Sequence, residues 1–461
     1  MENPMFVPDD KLASMIFEYC RWRLSLDPVD LDLPGQKAVL DEALVGLIGS
    51  KPRDPEDVFR VFTDVLAPAV ISCDSPRFLA FIPAAPTKAS LLFDMVVSCS
   101  ALQGTSWLEA AGAIAAENQA LRVLADAAGM PQSAGGCFVS GGSAANLSAL
   151  VVAREVGRRR AGGRGGRDGG RWGGPALRVA VGDQAHSSVA KALMVTGMEP
   201  FLVPTENYQL TGRALEEALS RDPEPESVVA VAATAGTTNA GIIDDLESVG
   251  RVANERGLWF HVDAAYGGAA LFAPSARHQF AGIERVDSVV IDPHKWLFAP
   301  FDCGALIYRH PELARAVFTQ DASYLDVIHT GAPDQWNPSD YAYHLTRRAR
   351  GLALWFSLAV YGIDAYSDAI ESSLHIARES AALIETKQYL QLVRKPELSV
   401  VLYRRKGWLP DDYDRWSDIL VAEQIGFVTP TKWEGETVAR LAFLHPHTTI
   451  AIVEEILETM E

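Results

Sequence analysis

His261-Val262-Asp263-Ala264-Ala265-Tyr266 and Asp292-Pro293-His294-Lys295-Trp296 each close an apolar run. The first follows Gly257-Leu258-Trp259-Phe260, and the second follows 286–291. Four more short runs of the same β-rich kind, at 136–139, 177–181, 228–233 and 305–308, alternate with helical stretches between about 88 and 310. This alternation predicts an α/β arrangement around a mostly parallel sheet. Ligands of such sheets sit at the carboxyl ends of the strands, where Asp263 and Lys295 fall.

Working outward, 11–26 and 36–49 carry apolar and charged residues at helical spacing. Asp54-Pro55-Glu56-Asp57 has the acid cap and first-turn proline of a helix start. A helical arm is therefore expected up to Asp74-Ser75-Pro76. Beyond Arg350 a helical run through Tyr361 leads into a smaller α+β region, with β-rich runs at 399–403 and 438–443 and a closing helix near 447–460. The expected division is an arm at 1–79, a large α/β domain at 80–350 and a small domain at 351–461. No internal repeat is found.

The formal charge, 41 − 59 = −18, disfavours general binding to nucleic acid or anionic membranes. The five cysteines are scattered without a C-x-x-C pair, so no disulfide framework or zinc knuckle is indicated. Residues 1–11 hold three acids and no apolar core, unlike a secretory leader. No apolar run approaches the ~20 residues that span a bilayer. A soluble protein of the reducing cytoplasm is expected. One segment breaks the composition: 157–174 is a Gly/Arg-rich insert. It reads as a surface loop, with RNA association as the alternative.

An acid and a lysine at successive strand ends are what pyridoxal phosphate requires. The amine bonds to the aldehyde, and the carboxylate pairs with the protonated pyridine nitrogen. At ~4 Å and an effective dielectric of ~20 that pair gains roughly 4 kcal/mol. Cys137-Phe138-Val139-Ser140-Gly141-Gly142-Ser143-Ala144-Ala145-Asn146 reads as strand, glycine turn and helix start, a place for phosphate. It lacks the G-x-S-x-G of a serine hydrolase. His186, after the run at 177–181, has two readings: stacking on a cofactor ring, or capping a helix. Thr234-Ala235-Gly236-Thr237-Thr238 ends another β run and can line a cofactor. His261 and Asp263 lie two apart, yet no third ligand is evident, so no metal is expected.

These residues together resemble the pyridoxal-phosphate-dependent amino acid decarboxylases that include the aromatic L-amino acid and glutamate enzymes. The likeness runs from Pro76-Arg77-Phe78-Leu79-Ala80-Phe81 to the C-terminal domain. It is densest where S-G-G-S-A-A-N, H-S-S-V, A-G-T-T, H-V-D-A-A-Y and P-H-K-W follow in order. It implies the fold-type-I (aspartate aminotransferase-like) architecture, with a mostly parallel seven-stranded sheet, a helical N-terminal arm and a small C-terminal α+β domain. It also implies a homodimer with its site at the interface.

By the same likeness Lys295 is the Schiff-base lysine and Asp263 the partner of the pyridine nitrogen. His186 lies on the ring. Gly142, Ser143, Thr238 and Ala265 lie near the phosphate or ring, and His294 sits beside the substrate. Asp321-Ala322-Ser323-Tyr324-Leu325 resembles the family's catalytic loop, making Tyr324 the acid that protonates the carbanion. Relatives that make aldehydes with oxygen typically alter the histidine or the tyrosine, so this chain resembles a true decarboxylase.

Two departures stand out. Asp292 replaces the asparagine usual in the aromatic enzymes, close to the phosphate. Thr105, in Gln103-Gly104-Thr105-Ser106-Trp107, replaces a phenylalanine that flanks the substrate. Phe81 and Trp107 are the expected apolar walls. No arginine is evidently placed for a side-chain carboxylate, which disfavours glutamate and aspartate. The expected substrate is an aromatic L-amino acid, and an aliphatic one is the second choice.

Overall fold

Strands β1 (Gly135–Val139), β2 (Arg178–Val181), β3 (Glu199–Leu202), β4 (Val228–Thr234), β5 (Trp259–Asp263), β6 (Ser288–Ile291) and β7 (Gly304–Tyr308) form one sheet in the order β1-β7-β6-β5-β4-β2-β3. This computed structural model describes residues 4–82, 85–160, 176–320, 322–329 and 335–461. Pairings β2–β3, β2–β4, β4–β5 and β5–β6 are parallel, and β7 runs antiparallel to both β6 and β1. Every residue of β4 and β5 is buried, as expected of apolar strands covered on both faces. The helix Gly142–Arg160 covers one face through Ala145, Ala149, Leu150 and Ala153. The helices Trp107–Ala127 and Leu246–Arg256 pack on the other.

The strands expected from the sequence lie within a residue or two of those observed. The exceptions are two three-residue strands, 390–392 and 431–433, and β3, whose Glu-Pro-Phe-Leu sequence gives little strand signal. It is an edge strand, where Pro200 costs no internal ladder bond and Leu202 stays exposed. The helical run ending at Tyr361 continues: Leu352–Thr386 is one element kinked at Gly362, whose φ of 75° is open to glycine. The insert also begins later than expected. Gly157 to Arg160 complete the preceding helix, and 161–175 lie outside the described residues.

Strands β8 (Leu390–Leu392), β9 (Val400–Arg405), β10 (Thr431–Trp433) and β11 (Glu436–Ala442) form an antiparallel sheet in the order β10-β11-β9-β8. The helices Pro410–Ala422 and Ile450–Glu458 share its core through Trp416, Leu420, Val453 and Ile456. At the N-terminus the helices Asp10–Ser25, Lys37–Leu44 and Pro55–Val61 bury none of their residues within this chain.

Candidate active site

Because β1 and β6 run the same way on either side of β7, the carboxyl ends of β1, β2, β4, β5 and β6 share one edge of the sheet. The loops leaving those ends enclose a cavity of about 340 Å3. It is lined by Lys295, Asp263, His186, Gly142, Ser143, Thr238, Ala265 and His294, eight residues the sequence had marked. Lys295 lies on the short helix Pro293–Trp296, which Pro293 opens directly after β6.

Asp263, at the end of β5, is held from both sides. Its Oδ1 accepts the Ala265 N–H at 3.1 Å, and its Oδ2 accepts Asn146 Nδ2 at 2.7 Å. The same amide nitrogen donates to Ser188 Oγ at 2.9 Å. Asn146 Oδ1 then accepts from His261 Nε2 at 2.9 Å. The other His261 nitrogen, Nδ1, faces Ser288 Oγ at 2.8 Å, and that oxygen accepts Trp259 Nε1 at 2.8 Å. Burial pushes the His261 imidazole down to about 4, so it is neutral and carries its proton on Nε2. With both ring nitrogens engaged, His261 is not available to a metal.

Of the two readings of His186, the structure shows the helix cap. His186 caps the helix Ser187–Thr196, Nδ1 accepting the Ser188 N–H at 3.2 Å, and it also lines the cavity. Ser188 Oγ lies 2.8 Å from the same nitrogen.

At the other end of the cavity the backbone comes close. Gly141 has φ 146°, and a Cβ there would meet His294 Cε1 at 2.8 Å. A Cβ on Gly142 would stand 3.0 Å from Asp292 Oδ2 and 3.2 Å from Ala265 Cβ. Asp292 Oδ2 accepts the Gly142 N–H at 2.9 Å and lies 3.2 Å from Lys295 Nζ. His294 accepts the Cys303 N–H on Nδ1 at 3.0 Å, and burial lowers its pKa toward the neutral form. Tyr266, stacked on Trp296 at 5.4 Å, accepts the Ser399 N–H at 3.0 Å and ties the cavity wall to the small domain.

The three expected wall residues are not brought to this cavity within one chain. Phe81 is 60% exposed and packs on Phe78 and Phe427. Thr105 and Trp107 are held elsewhere, where Gly104 N–H donates to Arg347 O and Trp107 N–H to Asn337 Oδ1. Tyr324 sits in the single turn Ser323–Leu325, and its side chain lies outside the described residues, as does Asp321.

Sequence reasoning missed two residues. Asn146 was quoted within a motif and given no role. Its position one helical turn past Ser143 was the available signal. Arg440, on β11, is 4% exposed and donates to Thr238 O at 2.6 Å, Phe81 O at 2.8 Å and Asn239 O at 3.3 Å. Burial without a carboxylate partner among the described residues lowers it to about 10. Nothing local in Ala-Arg-Leu-Ala distinguishes that arginine from a surface one.

An amine, a buried carboxylate held by two N–H donors, an imidazole and a glycine-built backbone cradle around one cavity fit pyridoxal phosphate. The model of the pyridoxal-dependent decarboxylase conserved domain matches residues 42–406. An aromatic-L-amino-acid decarboxylase of Bacillus atrophaeus is 30% identical over 437 residues, 92% of this chain and 87% of that protein. A phenylacetaldehyde synthase of Arabidopsis thaliana is 30% identical over 371 residues, 77% of this chain and 74% of that one. In structure, the chain is similar to the Oryza sativa TDC crystallised with PLP and tryptamine, with a TM-score of 0.88 at 25% identity, covering 100% of this chain and 99% of that one. Fold, cavity and sequence agree, and the chain belongs to the pyridoxal-dependent decarboxylase family.

Proposed function

We propose that this enzyme decarboxylates an aromatic L-amino acid to the corresponding amine and CO2, as a cytoplasmic homodimer. The observation that carries the reading is Lys295 and Asp263 lining one cavity with His186 and the Gly142–Ser143 turn. Lys295 would hold the cofactor aldehyde and Asp263 the ring nitrogen, with His186 against the ring face and Gly142 and Ser143 at the phosphate. When bound, pyridoxal phosphate supplies an electron sink for the bond broken at the substrate Cα. The hydrogen bonds to Asp263 hold the carboxylate in one plane, so its charge stays aimed at the ring edge. Tyr324 would deliver its phenol proton to Cα after CO2 leaves, from a loop whose closure excludes water.

The aromatic preference is supported by the curated relatives, several of which are named aromatic-L-amino-acid decarboxylases. The homodimer is supported by the N-terminal arm. None of its helix residues is fully buried in this chain, and Phe17, Trp22, Val39 and Leu44 are exposed. A second copy would cover these residues and supply the missing pocket residues, Thr105 and Trp107 among them. Five unpaired cysteines suit a reducing compartment.

The test is CO2 release from each of the twenty amino acids with added cofactor, beside Lys295→Ala. Tryptophan, tyrosine, phenylalanine or a close analogue should be used best. Lys295→Ala should lose both the visible absorbance of the bound cofactor and amine formation. A chromophore that survives this change would sink the assignment of Lys295, and turnover confined to acidic or aliphatic substrates would sink the aromatic reading.

A further inference from the structure

Asp292 puts a carboxylate where an anion is expected to bind. Its Oδ2 takes the Gly142 N–H at 2.9 Å, at the start of the helix Gly142–Arg160. Its Oδ1 is buried with no hydrogen-bond partner among the described residues, in a carboxylate only 2% exposed. Its Oδ2 is held by the Gly142 N–H and by Lys295, and its Oδ1 fills space that Gly304 leaves open. Asp292 N–H is bound to Ala265 O at 3.0 Å. Across from Oδ1, a Cβ on Gly304 would come within 2.7 Å of that oxygen and 2.6 Å of Gly141 Cα. Two basic side chains lie within 4 Å among the described residues: Lys295 at 3.2 Å and His294 at 3.7 Å. Burial favours the neutral form of the histidine, so the compensating charge falls to Lys295.

We propose that Asp292 is a latch of the cofactor-free state, which makes this enzyme hold pyridoxal phosphate exchangeably. The inference rests on the roles given above to Lys295 and Gly142. Two effects act in the same direction. A phosphate arriving at the Gly142 amide meets a carboxylate already bonded to that N–H, and like charges this close repel. Lys295 Nζ is engaged by the same carboxylate at 3.2 Å. That contact must open before the nitrogen can form a C=N bond to the aldehyde, with loss of one water. Asparagine at 292 would keep an oxygen for the Gly142 N–H, remove the charge, free Lys295 and offer N–H donors to the phosphate.

The experiment titrates cofactor-stripped enzyme with pyridoxal phosphate, following the visible band. It compares wild type with Asp292→Asn, Asp292→Ser and the charge-keeping Asp292→Glu. The two neutral variants should bind roughly tenfold tighter or more and lose cofactor more slowly on dilution. Asp292→Glu should stay near wild type. Thermal melts of the cofactor-free forms should show Asp292→Asn no more stable than wild type, since its Lys295 pair is gone. A folded neutral variant that binds pyridoxal phosphate as weakly as wild type, or more weakly, overturns the inference. Wild-type enzyme that binds no pyridoxal phosphate at all would instead overturn the proposed function.

Discussion

Asn146 donates from one amide nitrogen to both Asp263 Oδ2, at 2.7 Å, and Ser188 Oγ, at 2.9 Å. One buried side chain therefore orients the Asp263 carboxylate and, through Ser188, the His186 ring. Asn146→Ala should leave the fold intact and raise the dissociation constant for pyridoxal phosphate about tenfold, the scale at which supporting hydrogen bonds orient a site. Spectrophotometric titration measures this. It should also move the pH midpoint of the bound cofactor's band, which loss of packing alone would leave in place. An unchanged constant and an unchanged midpoint would count against the coupling.

His261 is held neutral, at about 4 against an ordinary 6.5, because burial penalises its cation. The sign follows from linkage. The unfolded chain binds a proton that the fold rejects, so the histidine's contribution is complete above 6.5 and is lost as pH falls toward 4. Between pH 7 and 4.5 that loss is about 2 kcal/mol. In His261→Asn, urea unfolding should show a stability drop smaller by this amount. His344 and His445, also lowered to about 4, are common to both proteins and cancel in the comparison. Equal acid limbs would remove His261 from the account.

Glu117 and Arg347 form a buried two-pronged pair, at 2.7 and 2.8 Å, with Gly351 N–H on the carboxylate and Gly104 O on the guanidinium. Their side chains are 2% and 0% exposed. Removing one partner strands the other charge, so Glu117→Ala should cost about 3–5 kcal/mol. Glu117→Leu with Arg347→Met should recover much of that, since apolar replacements of a buried pair are often near neutral. Denaturant midpoints read both. A double variant no better than the single would show that the backbone contacts of Arg347, and not the charges, dominate.

Tyr324→Phe should bind cofactor normally while amine formation falls at least tenfold, or while product shifts toward aldehyde with oxygen consumed and ammonia and hydrogen peroxide released. Oxygen uptake measured beside amine and aldehyde yields separates these results. Amine output at the wild-type rate would refute the proton-donor role.

The sequence was informative where one residue type has few other reasons to stand at a strand end. Asp263 closes a fully buried strand and Lys295 follows another by one short turn, places where an unpaired charge is costly, so their presence pointed directly at a ligand. The glycines of 141–142 were similarly legible, since backbone approach leaves no room for a side chain. Asn146 and Arg440 were not, because their roles depend on partners 117 and 202 positions away. The edge strand β3 was missed because its faces need not be apolar. The wall residues Phe81, Thr105 and Trp107 rested on likeness alone, and no periodicity in one chain reports which copy a wall belongs to.

Arg440 fastens three stretches to one another: the Phe81 turn at the end of the arm, the Thr238–Asn239 loop beneath the cavity, and its own strand in the small domain. A guanidinium with fixed donor angles tolerates little shear between the groups it grips. Rotation of the small domain must therefore pull the cavity floor and the arm along with it. In a dimer whose arms reach across to the other subunit, the same fastening would pass a movement at one cleft into the scaffold of its neighbour.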